Sequence, residues 1–472
     1  MQGARGDSAG PACSCAVAPR HPFLHMHLLD SMPVHHVPCL CRPGTHHSPP
    51  RAQQADICLP GERSLECTEA GSKPERHVST KSMSIGDSLM AYVAPAKGTG
   101  SRISRRRFLT AAAGAALAPR VVPSSVLGLG GAVAPSNRIV VGCVGVGRMG
   151  RGDLREFLGF SEVQVAAVCD VDVNRCDDAR ELVEGWYAAH APSGGYTGCA
   201  KYADYRELVA RDDIDVVSVV TPDHWHAIPS IAAAKSGKDV FLQKPLTLTI
   251  PEGRALSDAV LRYGRILQVG SQQRSDQRFR FACELARNER IGKLHTVRVA
   301  FGTDPGCGLE GPMPVPDNLD YDFWLGPAPW ESYTENRVHP QKDYGRPGWL
   351  RMQDYSGGMM TGWGAHHLDQ AHWGMGCEYS GPTEIEGRGI YPRDGLWDVH
   401  GSFHIKYTYP NNVTMIVDNK FRDGITFEGS DGWVWVTRGG IDASPKSLLT
   451  TVIGPGETHL YESRNHKGDF LE

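Results

Sequence analysis

A lysine and a histidine, Lys244 and His366, stand in sequence contexts suited to taking the proton of an alcohol. Oxidation of a carbinol carbon needs a hydride acceptor and a group that removes the hydroxyl proton, preferably with a pKa near neutrality. A lysine that is desolvated beside a second positive charge has a lowered pKa, because both effects disfavour the ammonium. We therefore predict that Lys244 and His366 are catalytic. The alternatives are a surface lysine at a strand end and a histidine that serves only the structure.

His366 lies at the start of residues 365–373, which we predict to form a helix. Residues three, four and seven apart share one helical face. That face carries a histidine, a carboxylate, an amide and an indole, at His366, Asp369, Gln370 and Trp373. The combination suits a polyhydroxy ring, and Asp369 would orient a substrate hydroxyl or His366. We expect no metal, because His372 is rotated away from His366 and no H-E-x-x-H motif occurs.

An apolar run at 139–144 predicts a buried parallel strand, and it leads directly into a G-x-G-x-x-G motif at Gly145, Gly147 and Gly150. With 54 glycines in 472 residues, this motif is expected about 0.7 times by chance, so its surroundings decide. A second match at 306–311 is followed by prolines that forbid a helix, and we interpret it as a loop. The first match precedes a segment that can be helical, which suits a pyrophosphate.

Asp170 ends the next predicted strand, 163–169, and lies 20 residues after Gly150. A carboxylate there can accept hydrogen bonds from both hydroxyls of an adenosine ribose and would repel a 2′-phosphate. The sequence therefore favours NAD over NADP. The alternative is a glycine turn in a Rossmann-like sheet that binds no nucleotide.

Strand and helix patterns alternate from residue 139 to residue 269, which predicts an α/β fold with a doubly wound parallel sheet. Ligands of such sheets bind at the carboxyl ends of the strands. The predicted cofactor-binding residues are accordingly Gly145, Gly147, Arg148, Met149, Gly150, Asp170, Thr221, Pro222, His226, Gln243, Lys244 and Pro245. We expect His226 to shape the site rather than to react.

The net charge of −4, with no dominant sign, argues against a nucleic-acid partner. No apolar run reaches 18 residues, so we expect no membrane span. We interpret residues 1–103 as a mis-called or disordered extension. Residues 104–134 resemble a twin-arginine signal, because Ser104-Arg105-Arg106-Arg107-Phe108-Leu109 precedes a short Ala-rich stretch. The expected domains are a Rossmann domain at 137–262 and a second domain at 263–472, which we expect to be truncated at its end.

From about residue 137 to residue 472 the sequence resembles the glucose-fructose oxidoreductase, inositol dehydrogenase and rhizopine-catabolism family (Gfo/Idh/MocA). The motifs that carry the resemblance are Gly145 to Gly150, Cys169 to Asp172, Thr221-Pro222 with His226, Lys244-Pro245, Val269 to Arg274, Ser356 to Gly358, and Ala365 to Asp369. It implies a second α/β domain with a large, mostly antiparallel open sheet. Two positions depart from the family pattern, since Gln243 and Gly362 stand where relatives carry carboxylates.

The resemblance also implies a function, namely NAD-dependent oxidation or reduction at a carbinol carbon of a sugar, polyol or glycoside. The residues expected to bind substrate are Lys244, Gln273, Arg274, Trp363, His366 and Asp369. The export signal suggests a periplasmic or otherwise exported location and a tightly held cofactor, whereas the protein would be cytoplasmic if the signal is not used. Two alternatives remain, a redox-assisted glycoside-cleaving enzyme and a catalytically weak carbohydrate-binding protein. We expect a homo-oligomer formed through the second sheet.

Overall fold

The computed structural model describes residues 134–190, 196 and 198–472. The predicted extension at 1–103 and the predicted twin-arginine region at 104–134 therefore lie outside the described residues, apart from Ala134. None of the helices in the described ranges is long and apolar enough to cross a membrane.

Strands and helices alternate in the first domain, as predicted. They are β1 (Ile139–Val144), α1 (Arg148–Leu158), β2 (Val163–Cys169), α2 (Val173–His190), β3 (Ala200–Tyr202), α3 (Tyr205–Val209), β4 (Val216–Val219), α4 (Ala227–Lys235), β5 (Asp239–Leu242), α5 (Ile250–Tyr263) and β6 (Leu267–Val269). The six strands are parallel and lie in the order β3-β2-β1-β4-β5-β6. The sheet extends to Val269, past the boundary expected at residue 262.

Local sequence explains where these elements begin and end. At the start of α5, the Thr249 hydroxyl and the Glu252 carboxylate bond reciprocally to backbone N–H groups, which forms a capping box. The same helix ends at Gly264, whose φ of +61° is easily adopted only by glycine. The strands are short and mostly buried, because helices cover both faces of the sheet.

The second domain contains a seven-stranded sheet. Its elements are α6 (Gln277–Arg287), β7 (Leu294–Ala300), α7 (Tyr321–Leu325), α8 (Gly358–Gly362), α9 (Gly364–Met375), β8 (Glu384–Gly389), β9 (Phe403–Thr408), β10 (Thr414–Asp418), β11 (Gly424–Gly429), β12 (Trp433–Thr437), β13 (Gly440–Ser444) and α10 (Gly468–Leu471). The strand order is β13-β12-β11-β7-β10-β9-β8, and only the β7 and β10 pair is parallel among the described pairings. The α/β class and the mostly antiparallel second sheet are thus confirmed.

Helices α6 and α9 pack on one face of this sheet and bury its apolar side chains. The helix predicted at 365–373 is present as α9. The glycines at 306–311 lie in a segment without helix or strand, as interpreted from the sequence.

The last described residues return to the first domain. Phe470 on α10 is 8% exposed, and its ring lies 5.8 Å from that of Phe241 on β5. His466 lies against β6, where a ring nitrogen is 3.1 Å from the Val269 carbonyl oxygen. The C-terminal segment therefore packs against the sheet of the first domain.

Candidate active site

The glycine loop between β1 and α1 is shaped to admit a phosphate group. Gly145 has a φ of +80°, and a side-chain carbon there would lie 2.6 Å from backbone atoms at the end of β4. A side-chain carbon on Gly150 would overlap the Gly145 carbonyl oxygen, so α1 packs directly on the loop. A side-chain carbon on Gly147 would meet only the end of the Arg175 side chain, at 3.8 Å, and Arg148 and Met149 are exposed. The first turn of α1 thus presents backbone N–H groups to a space that fits a pyrophosphate.

Asp170 lies beside this loop with its carboxylate turned toward it. Its two oxygens accept hydrogen bonds from the backbone N–H groups of Val146 at 2.9 Å and Asp172 at 3.0 Å. Burial raises the pKa of Asp170, and these two hydrogen bonds act in the opposite direction. Each oxygen keeps a second lone pair, which can accept a ribose hydroxyl.

A loop of the second domain contacts the helices next to Asp170. The Tyr344 ring lies between two guanidinium groups, 4.6 Å from that of Arg151 on α1 and 4.7 Å from that of Arg175 on α2. Its hydroxyl donates to Asp178 at 2.8 Å. We call residues 339–344 the adenosine loop, because they lie where the adenosine half of a dinucleotide would bind.

His339, in the same loop, lies 2.9 Å from the carboxylate of Asp172, which is 2% exposed. Burial opposes the charge on Asp172, but hydrogen bonds from His339 and Asn318 outweigh it and lower the pKa. The adenosine loop is thus anchored to the first domain at both of its ends, through Tyr344 and His339.

His226 joins the loops that follow β4 and β5. Its ring nitrogens lie 2.6 Å from the Pro245 carbonyl oxygen and 2.9 Å from the Thr221 carbonyl oxygen. Burial lowers the pKa of His226 to about 4, so the neutral ring donates to one of the two carbonyls. The geometry makes His226 a positioning residue, in agreement with the interpretation that it shapes the site.

Gln243 belongs to a buried network and not to an open cofactor pocket. Its amide donates to Asp153 at 2.9 Å, and its oxygen accepts from the Lys244 backbone N–H at 3.2 Å. Asp153 also accepts from the Lys467 ammonium at 2.8 Å, and both charged side chains are 1% exposed. Lys467 makes a second bond, of 2.5 Å, to Glu156. The carboxylate in this network is therefore supplied by α1, and position 243 carries a neutral amide that binds it.

Lys244 and His366 lie in one electrostatic environment. Desolvation lowers the pKa of Lys244, Asp223 opposes this shift, and the charges of Arg346 and Arg438 add to it. Burial lowers the pKa of His366 to about 2, and Lys244 and Arg438 contribute in the same direction. The imidazole is therefore neutral at ordinary pH, and the amine is easier to deprotonate than an exposed lysine.

Asp223 is a functional candidate that the sequence analysis missed. It is 3% exposed, and one of its oxygens has no hydrogen-bond partner among the described residues. Burial raises the pKa of Asp223 to about 7, although Lys244 and Ser356 lower it. Its place directly after Thr221 and Pro222, at the same sheet edge as Lys244, could have identified it.

Three predicted residues bring further unpartnered polar atoms to the site. Within the described ranges, Thr221 Oγ1, both side-chain amide atoms of Gln273, and His366 Nδ1 are buried without a hydrogen bond. Buried polar groups without partners cost free energy, so each of these atoms requires a ligand or a water molecule. They support the assignment of a polar ligand to this edge of the sheet.

Asp369 was predicted to orient either a substrate hydroxyl or His366. The second role is not met, because Asp369 has a different partner. Its carboxylate is held by Arg274 through two bonds of 2.7 and 2.6 Å, and this guanidinium lies over the Trp373 ring. Arg274 and Asp369 are 95 positions apart in sequence, so spacing could not reveal the pair. Trp363 packs edge to face against His366, with ring centres 5.8 Å apart.

A cavity of about 490 Å³ opens beside Lys244, between β6, α9 and the C-terminal segment. Arg274 and Asp369 line one wall of it, and Tyr461 and His466 line another. Its volume lies within the range of small-molecule sites, and its polar groups can serve hydroxyls.

Comparison with known proteins agrees with this geometry. Residues 139–271 match the family model described as an oxidoreductase family with an NAD-binding Rossmann fold, and residues 306–442 match the model of its C-terminal alpha/beta domain. The chain belongs to the Gfo/Idh/MocA oxidoreductase family. It is an NAD(P)-dependent oxidoreductase, and its cofactor is NAD. The glycine loop and Asp170 are the residues of this family member that fit the dinucleotide.

Relatives of known sequence match parts of the chain. An uncharacterized oxidoreductase, YrbE, of Bacillus subtilis is 24% identical over 290 residues, which are 60% of this chain and 67% of that protein. An alpha-N-acetylgalactosaminidase of Shewanella oneidensis is 39% identical over 132 residues, which are 28% of either chain. The match to the Shewanella protein thus spans less than a third of its length.

The WlbA dehydrogenase of Bordetella pertussis, solved in complex with NADH and UDP-GlcNAcA, shares the fold. Its TM-score is 0.50 at 15% identity, over 66% of this chain and 85% of that one.

Proposed function

We propose that this family member oxidises or reduces a carbinol carbon of a sugar, polyol or glycoside, and that Lys244 exchanges the hydroxyl proton. The observation that carries the proposal is the shared environment of Lys244, His366 and Asp223 at the carboxyl edge of the parallel sheet. A desolvated amine there can take a proton at a pH where an exposed lysine cannot.

Bound NAD would accept or supply the hydride. Lys244 removes the proton of the substrate hydroxyl, because its pKa is lowered from the ordinary value. His366 is neutral and acts as a hydrogen-bond partner that orients the hydroxyl through its unpartnered Nδ1. Asp223 stabilises the ammonium that forms, because it is the carboxylate that raises the pKa of Lys244 most strongly. Lys244 is therefore the base in this mechanism, whereas the sequence analysis treated Lys244 and His366 alike.

A second candidate is redox-assisted cleavage of a glycosidic bond. It is favoured by the similarity to the alpha-N-acetylgalactosaminidase of Shewanella oneidensis, which covers 132 residues. In such a cycle the cofactor would be reduced and re-oxidised within one turnover, so no external acceptor would be consumed. The adenosine loop belongs to the second domain and is held by side chains of the first domain near Asp170, which favours a cofactor that stays bound.

The experiment begins with the nucleotide content of the purified protein, measured by mass spectrometry after denaturation. Sugars and p-nitrophenyl glycosides are then tested for reduction of bound NAD and for release of nitrophenol. Lys244→Met should abolish both reactions and retain the nucleotide. Lys235→Met, which changes an exposed lysine at the end of α4, is the matched control and should leave both unchanged.

Full activity in the Lys244→Met variant would refute the assignment of the base. Release of NADH in each turnover, with a need for fresh NAD, would refute the closed cycle. Binding of sugar without any reduction of bound NAD, in a protein that contains the nucleotide, would favour the carbohydrate-binding alternative. In that case Gly362→Asp should restore turnover if the site has lost an acid.

We also propose export through the twin-arginine route and assembly through the second sheet. The first is tested by blotting periplasmic and cytoplasmic fractions of the wild type and of a variant with Arg105 and Arg106 changed to Lys. The second is tested by light scattering of the purified protein, for which a monomer mass would contradict the proposal.

A further inference from the structure

Arg438 is an exposed residue whose guanidinium is held against the Trp363 ring. It lies in the turn between β12 and β13, and it stacks over the Trp363 ring at 4.6 Å. Trp363 in turn contacts the His366 ring. Because the stacking fixes its position, Arg438 acts on both Lys244 and His366 as a positive charge. No role was assigned to it from the sequence.

Arg438 has no carboxylate of its own within the described part of the chain. The acidic group that acts on it is Asp276, which already binds Arg278 through two bonds of 3.1 and 2.7 Å. Asp276 is therefore committed to another partner. The guanidinium keeps its donors free for a ligand.

The other charges near Lys244 do not remove this excess of positive charge. Arg346, which also acts on Lys244, is bound to Asp304 at 2.8 Å. Asp223 is the carboxylate that raises the pKa of Lys244 most strongly. Its own pKa is raised to about 7, so it is only partly ionised at neutral pH. Bound NAD would add one further positive charge at its oxidised ring.

Open space lies beside the residue that precedes Trp363, the tryptophan on which this arginine stacks. Gly362 precedes Trp363 at the end of α8, and a side-chain carbon on Gly362 would meet no described atom within 4 Å. A ligand group can therefore lie beside Gly362 without displacing protein atoms.

We propose that the substrate carries a carboxylate, and that Arg438 binds this group in the space beside Gly362. The substrate class is then a sugar acid such as a uronate, and not a neutral sugar. Arginine presents paired N–H donors whose spacing matches the two oxygens of a carboxylate, which makes this the best-fitting single anionic group. The inference rests on the proposed function, because it concerns the same site.

The test measures binding to the NAD-loaded full chain by titration calorimetry. The probes are D-glucuronate and D-galacturonate, each compared with its parent hexose and its methyl ester, which lack the charge. At least one of the two acids should bind about 10-fold or more tightly than its neutral counterparts, because a charge-assisted bidentate contact is added. Arg438→Gln should remove this preference, and Arg438→Lys should restore part of it.

A matched control is available in the loop that precedes β11. Arg422 also stacks on a tryptophan, Trp435, and is paired with Asp442. Arg422→Gln should leave the preference for acids unchanged. Gly362→Asp should weaken acid binding selectively, since it places a competing carboxylate in the open space.

Equal affinity of acids and esters, or a preference that survives Arg438→Gln, would overturn the inference. The absorbance of bound NADH is recorded with the same probes. This second measurement distinguishes failure of the Arg438 inference from failure of the proposed function. If neutral sugars reduced bound NAD as readily as the acids do, the proposed substrate carboxylate would be refuted and the proposed redox function would stand. Tight binding of acids with no reduction by any probe would support the Arg438 site and count against the proposed redox chemistry.

Discussion

Replacing Lys467 with methionine removes the ammonium that neutralises Asp153 inside the first domain. Both side chains are 1% exposed and 2.8 Å apart, so water cannot take over the role of the lost cation. Removing one partner of a buried ion pair costs about 3–5 kcal/mol, because the other charge stays buried. We expect Lys467→Met to lower the free energy of unfolding by about this amount. The double variant with Asp153→Asn should recover at least about 2 kcal/mol of it.

The pH dependence of this loss has a definite sign. Burial raises the pKa of Asp153, and Lys467 acts against that shift. Without Lys467 the pKa lies higher still, so the carboxyl takes up a proton as the pH falls and the buried charge disappears. The stability deficit of Lys467→Met is therefore largest at alkaline pH, and it shrinks as the pH falls through the folded-state pKa of Asp153.

Denaturant unfolding, followed by tryptophan fluorescence at several pH values, measures these differences. Lys446→Met is the matched control, because Lys446 pairs with a carboxylate at an exposed site, with 73% of its side chain accessible. It should leave the unfolding midpoint unchanged. The reasoning would be refuted if Lys467→Met behaved like Lys446→Met, or if adding Asp153→Asn made the protein less stable than Lys467→Met alone.

Three further outcomes follow from the site. Gly145→Ala should abolish NAD retention, because the added methyl group has no room. Gly152→Ala, in open space on α1, should retain NAD. The nucleotide content of the purified variants tests both. Asp223→Asn removes the carboxylate that raises the pKa of Lys244, so the acid limb of the rate profile should move to lower pH, and a shift to higher pH would contradict the assignment. Asp170→Ala should reduce the preference for NAD over NADP in equilibrium binding, and an unchanged ratio would show that other groups select the cofactor.

The sequence predicted most strands and helices of the first domain and the elements that carry Lys244 and His366. Apolar runs, the glycine motif and helix periodicity are local signals, and they placed Lys244 after β5 and His366 at the start of α9. The alternation did not reveal α2, whose apolar positions follow no sharp stripe, nor the order of the second sheet, where β7 pairs with strands more than a hundred residues later.

The partners of the site residues could not be read from the sequence for the same reason. Asp153 and Lys467 are 314 positions apart, and their contact depends on how the C-terminal segment returns to α1. Asp223 stood in a motif that was recognised, but nothing local showed that its carboxylate would be buried. Burial and long-range pairing decide the charge state of a side chain, and both are properties of the folded chain.

The adenosine loop has a consequence for how the enzyme exchanges its cofactor. Tyr344 is held by arginines from two helices of the first domain, and His339 is held by the Asp172 carboxylate. In the closed cycle proposed above, a nucleotide beneath these contacts would leave only after several of them break together. The residence time of the cofactor would then be governed by local opening of the second domain and not by the affinity of the glycine loop. Such an enzyme would carry its oxidant with it, as a flavoprotein does, and its turnover would be independent of the concentration of free NAD around it.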